Sequence, residues 1–307
     1  MFFLKFRYRI KILMNKNFYI PLIILSVFFS AAMSVLIKLA QQDTNVFTAA
    51  FLRFFFGIMV LSPIFIRTKL GVFKTTHLKT HYLRVIINYP SMLLFFYAIN
   101  FVSIEKANSL TFVVPFIATI LAVIFLKEKI YGYRIFALIL GFIGMLIIIR
   151  PGMIEVSFGV YMILISSFLW AVMIIITKKL SKDESAITIL SYQYLLMFII
   201  SFIFALFNWQ TPSQEAVFYL FLAGLSGTIF HLTLYQAYKL VDVSLVQPYS
   251  FLVLVFASIL GYFVFGEIPD VYTWIGTGII FIGIIIISVR EMQINKNIIR
   301  KNLNTEL

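Results

Sequence analysis

The chain contains no cysteine, three histidines and 12 acidic residues in 307. Without a thiol there is neither a disulfide framework nor a thiolate nucleophile. The three histidines, His77, His81 and His231, make no metal-ligand cluster, so neither a metal nor a cofactor is expected. HExxH and GxSxG are absent, and no Asp or Glu falls in the middle of an apolar run, which argues against an intramembrane enzyme. The phosphate-cradling loop GxxxxGK[ST] is missing too, so the chain does not itself hydrolyse ATP.

What is present is apolar. The sequence is 62% hydrophobic and 18% aromatic, with a mean hydropathy of +1.02. One long apolar run follows another, leaving no room for a soluble domain. The net charge of +13 would suit a nucleic-acid partner. The basic residues instead track the connections between runs, as in a membrane protein with Lys and Arg on its cytoplasmic side. No nucleic-acid partner is expected; membrane lipids are.

Runs of about 20 apolar residues span a hydrocarbon core as helix. Ten are predicted: Phe18–Ala40, Val46–Ile66, Arg84–Ile104, Ala107–Leu126, Tyr133–Ile149, Phe158–Thr177, Ala186–Asn208, Val217–Tyr238, Val243–Phe265 and Val271–Val289. Placing the N-terminus in the cytoplasm puts Lys5–Lys16, the Arg67–Arg84 loop, Lys127, Lys129, Arg134, Lys178, Lys179, Lys182, Lys239 and the basic C-terminal tail inside. Only Lys38, Lys106 and Arg150 remain outside. Residues 1–17 read as a retained cytoplasmic tail rather than a signal peptide, because the run that follows is full length and lacks a small-residue cleavage site. Residues 291–307 form a second cytoplasmic tail.

The sequence repeats itself. Tyr97–Arg150 aligns without a gap on Gln236–Val289 at an offset of about 139 residues, pairing Ala98 with Ala237, Ala118 with Ala257, Glu128 with Glu267 and Gly144 with Gly283. The front of each half matches more weakly: Ser26–Met33 and Lys38 against Ser166–Met173 and Lys178. Residues 18–150 and 158–290 are therefore two copies of five spans. An odd number of spans turns the second copy upside down, the inverted repeat of secondary transporters, with a substrate site between the halves. The expected fold class is an all-α integral membrane protein of ten transmembrane helices in two inverted five-helix repeats.

These residues resemble the drug/metabolite transporter superfamily, in particular its ten-span EamA-type members. The resemblance rests on Leu52–Phe56, Pro115–Glu128, Val241–Tyr249 and Phe265–Asp270, followed by Gly276, Gly278 and Gly283, and covers the chain after Asn17. Within the superfamily, Val241–Asp270 is similar to the S-adenosylmethionine uptake transporters of obligate intracellular bacteria. The same pattern also occurs in vitamin transporters. The resemblance implies a small-molecule carrier of the bacterial inner membrane, with spans one, three, four, six, eight and nine lining a central cavity. It also leaves amino-acid export open.

Residues that would face substrate form two related polar stripes. Asn108, Thr111 and Pro115 share one helix face, and Gln247 and Ser250 hold the equivalent places in the second copy, with Phe112 matching Phe251. Polar side chains at membrane depth must face protein or water. Such groups equally serve as ordinary packing between helices. His231 and Tyr235 share a face of span eight with Thr228; Asn88, Tyr89, Tyr97 and Trp170 add amide and aromatic groups. Aromatic rings stack on planar substrates and attract cations, though in a Phe-rich chain packing explains most single rings.

Arg53 is read as the one charge well inside a span, in a structural role rather than as a substrate clamp, because the resemblance places an arginine there in members with unrelated substrates. Glu128 and Glu267 are read as end anchors, capping helices or pairing with lysines. Gly276 and Gly283, matched by Ala137 and Gly144, form small-residue faces that allow close helix approach and would suit a homodimer contact. With His231 the sole titratable side chain on the pathway, facilitated diffusion or exchange is expected rather than proton coupling. A channel would show a polar run through the whole bilayer; here polarity gathers near mid-span.

Overall fold

The computed structural model describes residues 19–98, 101, 110–150, 158–266 and 268–304. These build helices α1 (Tyr19–Ala40), α2 (Val46–Arg67), α3 (Leu78–Ala98), α4 (Val114–Leu126), α5 (Gly132–Ile149), α6 (Phe158–Leu180), α7 (Ala186–Phe207), α8 (Gln214–Leu240), α9 (Val243–Phe265) and α10 (Val271–Asn304), with no strand among the described residues. Eight are long and apolar enough to cross a membrane; α4 is apolar but shorter, and α3 carries His81, Arg84 and Asn88. Large apolar side chains such as Phe207, Phe263 and Trp274 cover the outside. In such a setting the backbone must bond within each segment, which only helices achieve.

Local chemistry repeats along with the sequence. The Asn45 side chain accepts from Thr48 N at 2.9 Å to start α2, and Ser185 accepts from Thr188 N at 3.0 Å to start α7. Each caps one of the free donors at a helix start. The turns before them, residues 41–45 and 181–185, have the same shape. Lys127 and Gly266, one repeat apart, both end a helix in the left-handed conformation, at φ 56° and 70°.

Packing follows the same exchange of halves. α1 lies along α8, and α6 along α3; α9 rests on α1, and α4 on α6; α2 meets α7, and α5 meets α10. Phe112 and Phe251, equivalent in the repeat, stack on each other with ring centroids 5.6 Å apart and planes 14° apart. The small-residue faces of α5 and α10 meet inside the chain: a Cβ on Gly283 would lie 3.2 Å from Ala137 O. They are therefore not a free surface for a second copy. Close approach stabilises helix pairs in lipid through dispersion, since burial from lipid gives no hydrophobic gain.

Several expectations need correcting. Span three begins at Leu78 rather than Arg84, started where His77 N bonds Thr75 Oγ1 at 2.9 Å. This carries Arg84 more than a turn inside the helix, so Arg53 is not alone at depth. Lys178, read as a connecting-loop residue, is buried within α6; its Nζ bonds Tyr238 O and, at 2.6 Å, Val241 O, at the end of α8. α9 is not one regular helix: Val243–Val246 is α-helical, Gln247–Phe251 is 3-10 and Leu252–Phe265 is α-helical again. Pro248, with no N–H, sits at the change. α10 does not stop at Val289 but runs on to Asn304, where a separate tail was expected.

The two ends of the bundle differ. At the basic end Glu128 accepts from Val243 N at 2.8 Å and Ser244 N at 3.0 Å, capping the start of α9 from the other half. This is the anchoring role expected of it; Glu267 lies outside the described residues. Arg134, buried, bonds Glu291, Asp242 and Ser244, and Thr75 bonds Glu184. At the opposite end the Asn45 amide donates to Asn208 O at 2.6 Å and Ser213 to Asp43 at 2.8 Å, while Arg150 pairs with Asp270.

Candidate substrate cavity

A cavity of about 480 Å³ opens between the halves. It runs from Gln41 and Val46, at the end opposite the basic one, inward to Thr177 and Tyr238. A volume of this order holds a drug-sized molecule. α1, α3, α4, α6, α8 and α9 contribute to its wall, as the resemblance implied; α2 and α7 join them through Arg53 and Gln193.

Most predicted residues meet here. Asn88, Thr111, Trp170, His231, Tyr235, Gln247 and Ser250 all line the cavity. Tyr97 does not; half exposed at 50% of its surface, it lies on the outside of α3. Nine residues separate it from Asn88, so it projects from another side of the helix. Asn108 lies outside the described residues. Thr228, although on the His231 face, bonds Gly224 O of its own helix at 2.8 Å.

The break in α9 positions the second stripe. In the 3-10 stretch Ser250 Oγ donates to Gln247 O at 2.7 Å, and both side chains reach the cavity wall. On α4 the helix is interrupted by a turn at Phe112 and Val113, in the equivalent place, before Pro115 starts the regular part. The two prolines are not equivalent in sequence, yet both helices lose regularity at the same level. Unwound backbone at depth is tolerated where it borders a cavity.

Two groups that sequence reading missed organise the floor. Arg84, fully buried, donates to Ile189 O at 3.1 Å, to Gln193 Oε1 and to Tyr235 OH. Tyr235 OH in turn donates to Gln193. This charge-assisted cluster ties α3, α7 and α8 together and fixes the Tyr235 ring. Gln193, a lone amide in the apolar run of α7, was the available signal. Ser91 and Ser166 exchange hydrogen bonds across the halves, Ser91 Oγ to Ser166 O at 2.8 Å and Ser166 Oγ to Ser91 O at 2.7 Å.

His231 Nδ1 lies 2.7 Å from Gly227 O, so a proton on that nitrogen is held by its own helix. Among the described residues no Asp or Glu lines the cavity, and the charged residue that does is Arg53. Among the described residues no cluster of three or more metal-ligating side chains occurs. The chamber is mainly apolar, with a few polar and aromatic side chains set into its wall.

Comparison with known proteins agrees with this geometry. The model of the EamA-like transporter family matches twice, over residues 17–150 and 157–289. An S-adenosylmethionine uptake transporter of Rickettsia bellii (strain RML369-C) is 32% identical over 257 residues, 84% of this chain and 88% of that protein. A riboflavin transporter of Vibrio cholerae is 30% identical over 251 residues, 80% of this chain and 84% of that one. A solved crystal structure superposes with a TM-score of 0.77 at 13% identity, covering 89% of this chain and 97% of its own, a likeness of fold alone. The chain belongs to the EamA-like transporter family and is a membrane transporter rather than an enzyme.

Proposed function

We propose that the protein is a secondary carrier of a small polar metabolite that works by alternating access across the bacterial inner membrane. In this reading ten spans form two inverted five-helix repeats, residues 18–150 and 158–290, with both termini in the cytoplasm. The observation that carries it is the cavity walled by both halves and reaching Gln41 and Val46 at the end away from the basic one. The exchange of contacts between halves, and the stacking of Phe112 on Phe251, support the two-fold relation. The Lys and Arg surplus at the bonded end supports a cytoplasmic placement of that end and, with it, an outward-facing conformation.

The substrate we propose is S-adenosylmethionine, taken up by exchange. Support comes from the Rickettsia relatives and from the chamber itself: Trp170 and Phe112 offer faces for a purine, and Asn88, Gln247 and Ser250 offer hydrogen bonds. Site residues in this reading are Asn88, Thr111, Trp170, His231, Tyr235, Gln247 and Ser250. The lack of a carboxylate among the described wall residues favours exchange over proton coupling, and a His231→Ala variant keeps the pH dependence of the unaltered protein. Riboflavin is the second reading, carried by the Vibrio relative and by the same rings.

Counterflow in proteoliposomes tests this. Label should accumulate when unlabelled S-adenosylmethionine is trapped inside, with no inhibition by lysine, riboflavin or aromatic amino acids. No accumulation by folded protein overturns the substrate; label that equilibrates without acceleration by trans substrate overturns the carrier mechanism. Inhibition by riboflavin or by an amino acid redirects the reading to that class, the latter as an exporter.

A further inference from the structure

Buried arginines in this protein are answered by oxygen. Arg84 has a backbone carbonyl, an amide oxygen and a phenol. Arg134 has two carboxylates and a hydroxyl. Arg53 differs. Among the described residues the one acceptor its guanidinium hydrogen-bonds is the sulfur of Met33, 3.2 Å from Nη1; the Phe54 ring lies 4.3 Å from Cζ, and the Tyr194 and Tyr235 side chains stand nearby without a hydrogen bond to it. A thioether is a weak acceptor, and a ring face offers only part of what water gives a cation. Among the described residues Arg53 makes no ion pair and no carboxylate lines the cavity it borders.

Its backbone is held firmly. A Cβ on Gly224 of α8 would lie 3.0 Å from Arg53 O, so α2 and α8 touch backbone to backbone at this level. Although Arg84 Nε meets no acceptor, the arginines that hold helices together each place donors on three protein oxygens. Arg53 keeps its own for the cavity, where Asn88, His231 and Tyr235 also lie.

We infer that Arg53 is the anchor for a carboxylate on the transported molecule, a specificity determinant that rests on the carrier reading above and narrows its substrate class. The planar fork matches a carboxylate in two parallel hydrogen bonds, the missing oxygen partners. An ammonium or sulfonium on the same molecule finds no acid here and is left to the ring faces and hydroxyls. Bound substrate thus neutralises the one unanswered charge in the chamber.

The test is a binding panel on the purified full chain, using pairs that differ by the carboxylate alone: S-adenosylmethionine and its decarboxylated form, phenylalanine and phenethylamine, lysine and cadaverine, with riboflavin as a carboxylate-free ligand. For the pair that binds, removing the carboxylate should weaken affinity about 100-fold, the order expected of a bidentate charged pair in a desolvated site. Arg53→Gln should abolish that preference, and Arg53→Lys should keep part of it. If S-adenosylmethionine fails while an amino acid shows this dependence, the substrate proposed above falls and the carboxylate anchor stands. Preference that persists in Arg53→Gln overturns the anchor. So does tight riboflavin binding, equal in both proteins, or rejection of every carboxylate by folded protein. Should Arg53→Gln not fold, the ligand pairs on the unaltered chain decide.

Discussion

Gly144 of α5 and Gly276 of α10 cross with no side chain between them: a Cβ on Gly144 would lie 2.6 Å from Gly276 O. Under the repeat this contact becomes the one between Gly283 and Ala137, so a single antiparallel seam is written twice in the sequence. The seam holds the two copies together away from the cavity.

Gly144→Val should therefore lower stability by about 1–3 kcal/mol, since the obstacle is backbone and cannot rotate away. Gly278→Val is the control, because a Cβ there meets nothing within 4 Å. Thermal unfolding of both in detergent reads the difference; equal losses would remove the seam as a determinant.

Arg84 predicts an asymmetry. Gln193→Leu takes an acceptor from a buried guanidinium and should cost about 2–4 kcal/mol. Arg84→Met removes the charge itself and leaves the Tyr235–Gln193 bond intact, so it should cost less than Gln193→Leu. The double variant should recover part of the Gln193→Leu loss. A double-mutant cycle on unfolding temperature measures the coupling.

Glu128 spans the halves through two backbone donors of α9. Glu128→Ala should cost about 1–2 kcal/mol and Glu128→Gln less, because an amide oxygen still accepts one of the two bonds. Since the cap closes the basic end, both should also raise exchange of the cavity with the cytoplasmic side, read as labelling of a cysteine placed at Gln247.

The absence of cysteine makes topology directly measurable. Cysteines at Gln42 and Thr211 should react with an impermeant maleimide from outside intact cells, and those at Thr75 and Lys182 only after permeabilisation. The reverse pattern would invert the proposed orientation.

Asp270 begins α10. The Thr273 backbone N–H at 2.8 Å, its hydroxyl and Arg150 hold the carboxyl below the usual carboxylate range. A depressed folded pKa stabilises the fold above the unfolded carboxylate pKa, and that share is lost as pH falls through the folded value. Asp270→Asn should then be less stable at neutral pH and indistinguishable in acid, by unfolding temperature across the range; a difference that persists in acid would show a steric cause.

Periodicity, hydropathy and the repeat were legible in the sequence because each depends on residues near one another in the chain. Most helix boundaries, the anchoring by Glu128 and most cavity residues follow from them, whereas the starts of α3 and α4 and the end of α10 do not. Tyr97 was misplaced because a span's polar residues do not all lie on one face. The fate of the charges needed tertiary structure. Arg84, Lys178 and Arg134 read as cytoplasmic loop residues, yet each is buried against carbonyls or carboxylates from helices far along the chain. Arg53 read as structural, and only the packed bundle leaves it facing a cavity with a sulfur for company. Hydropathy records the average cost of a residue in lipid, whereas whether a buried cation is answered depends on which oxygens folding brings within 3 Å of it.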